Sequence, residues 1–312
     1  MKKNLVNILT VVLAFAVVCG CVAWYNIATK DVKDTKEPAV VENRNEVPLF
    51  TIENYPRVDA SLAIHPLVNS IAADFLGMDQ SELNFTYTET RTSEVYHNLI
   101  DGRVDVIFAA EISKEDEQYA KEQGVELEII PATSSAFVFI VNSKNPVNGL
   151  TFEEIQKIYT GEITNWSQVG GKDGEIIPYQ RPTGSGSQTA MLSLVMKDKT
   201  IKEPPMSEVQ GNMGELIDAV AEYDNAENAI GYSYFYYVNT MYKRDTIKML
   251  AVDGVEPSIE TIKSGKYPIY TNGFIVLKKN SPKDSPERKW AEAVLSERGS
   301  KIIEDEGYVP VN

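Results

Sequence analysis

SEVYHNLIDGRVDVIFAAEISKEDEQYAKEQGVELEII, residues 93–130, decides the class of fold. Ser93 to Ile100 carries apolar residues at helical spacing and stops at Asp101-Gly102. Val104 to Ala109 is an apolar run of the kind found in a buried parallel strand. Glu115 to Gln123 is a charged helix ended by Gly124, and Val125 to Ile130 is a strand again. Helices and strands that alternate in this way imply an α/β fold with crossover helices.

The alternation extends in both directions. Upstream, Ala60-Ser61 precedes a helical pattern from Leu62 to Leu76 that ends at Gly77, and Phe85 to Thr88 alternates like a strand. Downstream, Phe137 to Val141 is a strand, and Thr151 to Tyr159 is a helix with a capping box formed by Thr151 and Glu154. Gly161 to Trp166 is a polar turn, and Ile176 to Gln180 is a short strand. At 312 residues the chain exceeds the size at which one core keeps growing, so two lobes are expected. A hydrophobic fraction of 43% with 24% charged residues is ordinary for a globular protein, which sets disorder aside.

Charge narrows the partners. The 30 Lys+Arg against 45 Asp+Glu give a net charge of −15, so the basic footprint needed for nucleic acid or anionic lipid is missing. Any anion site must draw its attraction locally, from backbone N–H groups, hydroxyls and one or two arginines. Lys2 and Lys3 followed by an apolar run from Leu5 to about Ala28 form an export signal. Within it, Val18-Cys19-Gly20-Cys21 resembles a lipoprotein cleavage box with Cys21 as the acylated residue. The apolar run is also long enough to remain as an uncleaved anchor. Either way the leader (1–28) places the rest of the chain outside the cytoplasm, and the charged stretch 29–48 reads as a tether. Cys19 and Cys21 are the sole cysteines, so the folded part carries no disulfide, thiol nucleophile or Cys metal ligand. His65 and His97 are the sole histidines and lie in no metal or triad motif, so each is expected on a helix surface or flank.

The segment Arg181-Pro-Thr-Gly-Ser-Gly-Ser-Gln-Thr189 precedes a helical run from Ala190 to Met196. A Gly/Ser-rich turn before a helix presents unpaired N–H groups backed by the positive end of the helix dipole, which suits a tetrahedral oxyanion. Ser185 and Ser187 add hydroxyls, and Arg181 offers a planar fork to two oxygens. The competing reading is plain capping, with Ser185 and Gln188 as a capping box. A P-loop lysine is missing, so a nucleotide gains little support. Ser61 and Thr92-Ser93 open two further helices, and in an open α/β sheet such helix starts converge beyond the strands' carboxyl ends. The aromatic run Tyr232 to Tyr237, together with Trp166 and Trp290, is expected in the core.

From about Tyr55 to its end the chain resembles the phosphate-binding subunits of bacterial phosphate ABC importers, in the type II periplasmic-binding-protein superfamily. The resemblance rests on Arg181 spaced to Ser185-Gly186-Ser187, on Tyr55-Pro-Arg-Val-Asp-Ala-Ser61, on Thr92, and on Leu150-Thr-Phe-Glu-Glu-Ile155. Tyr159-Thr-Gly161, Thr164-Asn-Trp166, Asn228-Ala-Ile-Gly-Tyr232 and Gly307-Tyr-Val-Pro310 complete it. It implies a two-lobed α/β fold joined by two crossing hinge strands, with lobe 1 discontinuous (49–136 and 273–312) and lobe 2 at 137–272. It implies that inorganic phosphate is held by Arg181, Ser185, Gly186 and Ser187 from lobe 2 and by Ser61, the Leu62 backbone and Thr92 from lobe 1. Glu111 stands near the position where relatives carry a carboxylate that accepts the anion's proton. Ala60-Ser61-Leu62 departs from the relatives' Gly-Ser-Thr. No cofactor or metal and no catalytic residue is implied; the partners implied are ABC permease subunits and their cytoplasmic ATPase. The alternatives are a receptor for sulfate or molybdate, a ligand-free sensor or surface module of the same fold, and an extracellular phosphatase.

Overall fold

The computed structural model describes residues 47–83, 91–223 and 226–311. The leader, nearly all of the tether and the strand expected at Phe85 to Thr88 lie outside these residues. Among the described residues no helix is long and apolar enough to cross a membrane.

The chain opens with β1 (Val58–Ala60), a 3-10 turn at Leu62–Ile64 and α1 (His65–Leu76), which Gly77 ends in the left-handed region at φ 64°. Then come α2 (Thr92–Ile100), β2 (Val106–Ala109), α3 (Lys114–Glu122) and β3 (Leu127–Asn142). Next are β4 (Gly149–Leu150), α4 (Phe152–Thr160) and β5 (Ile177–Pro178). Helix α5 (Gly186–Ala190) runs on as a π-helical stretch, Met191–Met196, where a continuous α-helical run was expected. There follow α6 (Met213–Glu222), β6 (Ala229–Tyr234), β7 (Ile247–Met249), β8 (Ala251–Val252) and α7 (Ile259–Lys263). The chain closes with β9 (Tyr270–Lys278), α8 (Pro286–Val294), α9 (Glu297–Asp305) and β10 (Val309–Pro310). The capping box expected for α4 forms, with Thr151 Oγ1 accepting from Glu154 N at 3.1 Å.

The expected strands at Val125 to Ile130 and Phe137 to Val141 are one strand. Its first part pairs antiparallel with β9, from Leu127 opposite Lys278 to Ala136 opposite Tyr270. From Phe137 onward it pairs with β6 and β7 instead. The polar stretch Thr133 to Ser135 reads as a break in the sequence, yet it stays in the ladder because Gly273, Asn272 and Thr271 of β9 lie opposite it. A register shift between Pro131 and Thr133 absorbs the irregularity of Pro131, which has no N–H to donate.

Two parallel pairs matter for the site: β1 with β2, and β5 with β6. Strand β2 is buried on both faces, which explains its unbroken apolar character. Val106 and Phe108 face a core built with Leu67, Phe75, Ile275, Leu277 and Trp290. Ile107 and Ala109 face a second cluster with Val95, Leu99 and Val276 under α2 and α3. A separate, larger core gathers Phe137, Phe139, Tyr159, Trp166, Ile217, Val220 and Tyr232. Trp290 is fully buried, and its indole N–H donates to the Tyr55 hydroxyl at 2.8 Å. Trp290→Ala should lower stability by about 3–5 kcal/mol. Urea unfolding of the two proteins checks this, and a loss below about 1 kcal/mol would show that the indole is not part of the core.

Candidate functional site

The carboxyl ends of β1, β2, β5 and β6 lead to Ser61, Ala110, Arg181 and Tyr234, and all four residues line one cavity of about 240 Å³. Parallel strands direct their ends to a common side, and the segments that follow them supply the walls. From one wall come Ser61, Leu62, Ala63, Arg91 and Thr92; from the other come Ser185, Gly186, Ser187, Gly211, Asn212 and Met213.

Four of these residues open a helical segment. Leu62 starts the 3-10 turn, Thr92 starts α2, Gly186 starts α5 and Met213 starts α6. The first N–H groups of a helix have no acceptor within it, so each start supplies donors and a positive dipole end. At Ser61 and Ser185, the residues preceding two of these starts, the side chain makes no capping bond. The capping box read from Ser185 and Gln188 does not form. Gln188 Oε1 accepts from Arg181 N at 3.2 Å and from the Tyr232 hydroxyl, while Ser185 Oγ pairs with Ser187 Oγ at 3.1 Å. Both serine hydroxyls are therefore buried at the cavity wall without serving the helix backbone. Gly184, at φ 81°, provides the left-handed turn that swings Ser185 into place.

Arg181 is 8% exposed. Its Nε donates to Gln210 O at 3.0 Å and its Nη2 to Gly211 O at 3.2 Å, which orients the guanidinium and uses part of the expected fork. Its Nη1 is buried without a hydrogen-bond partner. Among the described residues no carboxylate forms an ion pair with Arg181, and burial pushes its pKa down to about 10, with the like charge of Arg91 acting in the same direction. The group is still a cation at neutral pH, short of the solvation it would have in water. The Tyr234 hydroxyl is likewise buried and unpartnered; burial, followed by the negative charge of Glu111, raises its pKa and keeps it a neutral phenol.

The structure thus brings Ser61, Leu62, Thr92, Arg181, Ser185, Gly186 and Ser187 into one lining. Glu111 is not among the lining residues. Its Oε2 accepts from Ser193 Oγ at 2.6 Å, in the π-helical stretch, and its negative charge reaches the Tyr234 hydroxyl. His65 Nε2 lies 2.6 Å from Ala60 O, and His97 Nε2 lies 3.2 Å from Asp116 Oδ1; neither lines the cavity. Arg91, Tyr234 and the Gly211-Asn212-Met213 turn were missed in the sequence. The turn had a legible signal, since Asn212 with Glu215 makes a capping box at the start of α6. Tyr234 had none, because its neighbours Tyr232, Phe235 and Tyr237 are core residues as the aromatic run implies.

The two walls touch. Ser93 N donates to Gly184 O at 3.2 Å, and a Cβ added to Gly186 would sit 2.5 Å from Thr92 Oγ1 and 3.1 Å from the Ala110 Cβ. Only glycine lets the backbone of this turn approach the opposite wall so closely.

A sequence model of the PBP superfamily domain matches residues 54–298. The chain belongs to the PBP superfamily. It is 25% identical to the phosphate-binding protein PstS of Bacillus subtilis, covering 100% of this chain and 95% of the relative. It is 28% identical to the PstS of Borreliella burgdorferi, covering 68% of this chain and 76% of that one. Among solved structures it is similar to a protein from Clostridium perfringens assigned as a phosphate ABC transporter substrate-binding protein and solved with bound phosphate. The identity there is 26%, the TM-score 0.66, and the overlap 82% of this chain and 98% of that one. The two-lobed α/β fold expected from the sequence is the fold of these relatives.

Because the methyl of alanine would strike Thr92, Gly186→Ala should hold the walls apart and weaken binding of a tetrahedral oxyanion about 10-fold or more. Calorimetric titration reads the change, and unaltered affinity would show that the walls do not close on the ligand.

Proposed function

We propose that the protein is an extracytoplasmic receptor that captures inorganic phosphate between its lobes and presents it to an ABC importer. The observation that carries this is the buried, partnerless Nη1 of Arg181 in a cavity walled by helix starts and by serine hydroxyls that cap no helix. A buried cation without a counter-charge is costly, and an oxyanion supplies both the charge and the acceptors. Helix N–H groups add donors suited to tetrahedral oxygens. The likeness to phosphate-binding relatives over most of the chain supports phosphate as the ligand.

In this reading Arg181, Ser185, Gly186 and Ser187 bind from lobe 2 (137–272). Ser61, the Leu62 backbone and Thr92 bind from lobe 1 (49–136 and 273–312). The lobes swing about the crossing strands near Ala136 and Tyr270, where β3 exchanges one partner strand for another. Binding, not catalysis, is proposed, because the two serines bond each other and no histidine lies in the lining to activate them. The closed form meets permease subunits whose energy comes from a cytoplasmic ATPase. The leader holds the protein at the outer face of the membrane, with Cys21 acylated; metabolic labelling with a fatty acid should mark the wild type and not Cys21→Ala.

Titration with phosphate should give a saturable heat, and Arg181→Ala should weaken binding about 100-fold or more, a loss on the order of 3 kcal/mol. No heat with phosphate, sulfate or molybdate would instead identify a ligand-free module of this fold.

A further inference from the structure

Among the described residues, five buried side-chain N or O atoms have no hydrogen-bond partner, and two of them, Arg181 Nη1 and the Tyr234 hydroxyl, belong to residues that line the anion cavity. A buried donor left unpaired forfeits its hydration with nothing in return, so each such atom calls for a reason. For Arg181 the reason is the anion. Tyr234 is 9% exposed and stands at the end of β6, where it pairs with Phe137. Phe137 is the first residue of β3 past Ala136, the last to pair with β9, so Tyr234 sits at the crossing between the lobes. Its ring packs edge-on against the Phe137 ring with centroids 5.9 Å apart, which holds the side chain in place. Burial, followed by the charge of Glu111, keeps the phenol protonated, so it offers one O–H and brings no charge.

Resting on the phosphate-receptor reading, we infer that Tyr234 is a further ligand of the anion, its hydroxyl donating to a phosphate oxygen from the pivot in the open form as well as the closed one. The helix starts belong to one wall or the other and separate when the lobes swing, whereas a residue at the pivot moves least. The competing acceptor lies within the fold. Tyr234 also lines a smaller adjoining cavity of about 40 Å³, together with Thr133, Thr271 and Asn272 of the crossing strands. Asn272 Oδ1, on β9 opposite Ser134, is likewise buried and partnerless, so the phenol and this carbonyl do not bond to each other. The hydroxyl is therefore free of the hinge and available to a ligand in the larger cavity.

The test pairs calorimetric titration with inorganic phosphate and urea unfolding of the ligand-free protein, for the wild type and for Tyr234→Phe, which keeps the ring and removes the hydroxyl alone. Phosphate affinity should fall about 10-fold. The urea midpoint should stay level or rise, because an unpaired buried hydroxyl has been removed. Unchanged affinity, or a midpoint that falls together with the affinity, would assign the hydroxyl to the fold and overturn the inference, leaving the receptor reading to stand on the wild type. In the Gly186→Ala background, where the walls are held apart, Tyr234→Phe should weaken binding by about the same 10-fold again. No added loss there would show that the contact forms only on closure and would overturn the pivot role. Failure of the wild type to bind phosphate would overturn the receptor reading and this inference together.

Discussion

Strand β3 hydrogen-bonds to β9 as far as Ala136 and to β6 from Phe137 onward, so one uninterrupted backbone belongs to both sheets. A ladder leaves little freedom, because each buried N–H and C=O must find a partner. With both sheets fixed to that line, the ends of β1 and β2 on one side and of β5 and β6 on the other lead to the same cavity. The helix starts that follow those strands become its walls, and Arg181 is buried among them as a consequence.

Charge works at two scales. The chain carries −15 overall, which repels anions at a distance, but screening limits that repulsion to roughly 8–10 Å at ordinary ionic strength. Inside the cavity the local balance is reversed. Arg181, Arg91, the helix dipoles and the hydroxyls all favour negative charge, and the desolvation of Arg181 makes an anion the natural replacement for lost water.

Among the described residues, direct bonds between 137–272 and the rest of the fold include Ser93 N to Gly184 O, Ser193 Oγ to Glu111 and Lys263 Nζ to Glu304. Bonds of this kind contribute about 0.5–1.5 kcal/mol each. An anion bridging both walls accepts several charge-assisted bonds, each roughly twice as strong.

How much of this was legible follows from where the forces act. The apolar runs, the Gly stops and the Thr151 capping box are local, so the α/β class and most elements could be read along the chain. The turn from Arg181 to Ser187 stood out as a set of donors before a helix, but along the chain it read equally as plain capping. The continuity of β3 was not, since Thr133 to Ser135 looks like a break until Gly273 and its neighbours lie opposite. The capping box at Ser185 was wrong because Gln188 is claimed by Arg181 and Tyr232, residues that only folding brings to it. The sequence by itself determined which residue types could hold an oxyanion, because donors and helix starts are local properties. The tertiary structure decided which of them line the cavity, adding Tyr234 and pairing Glu111 with Ser193, because side-chain direction is set by packing.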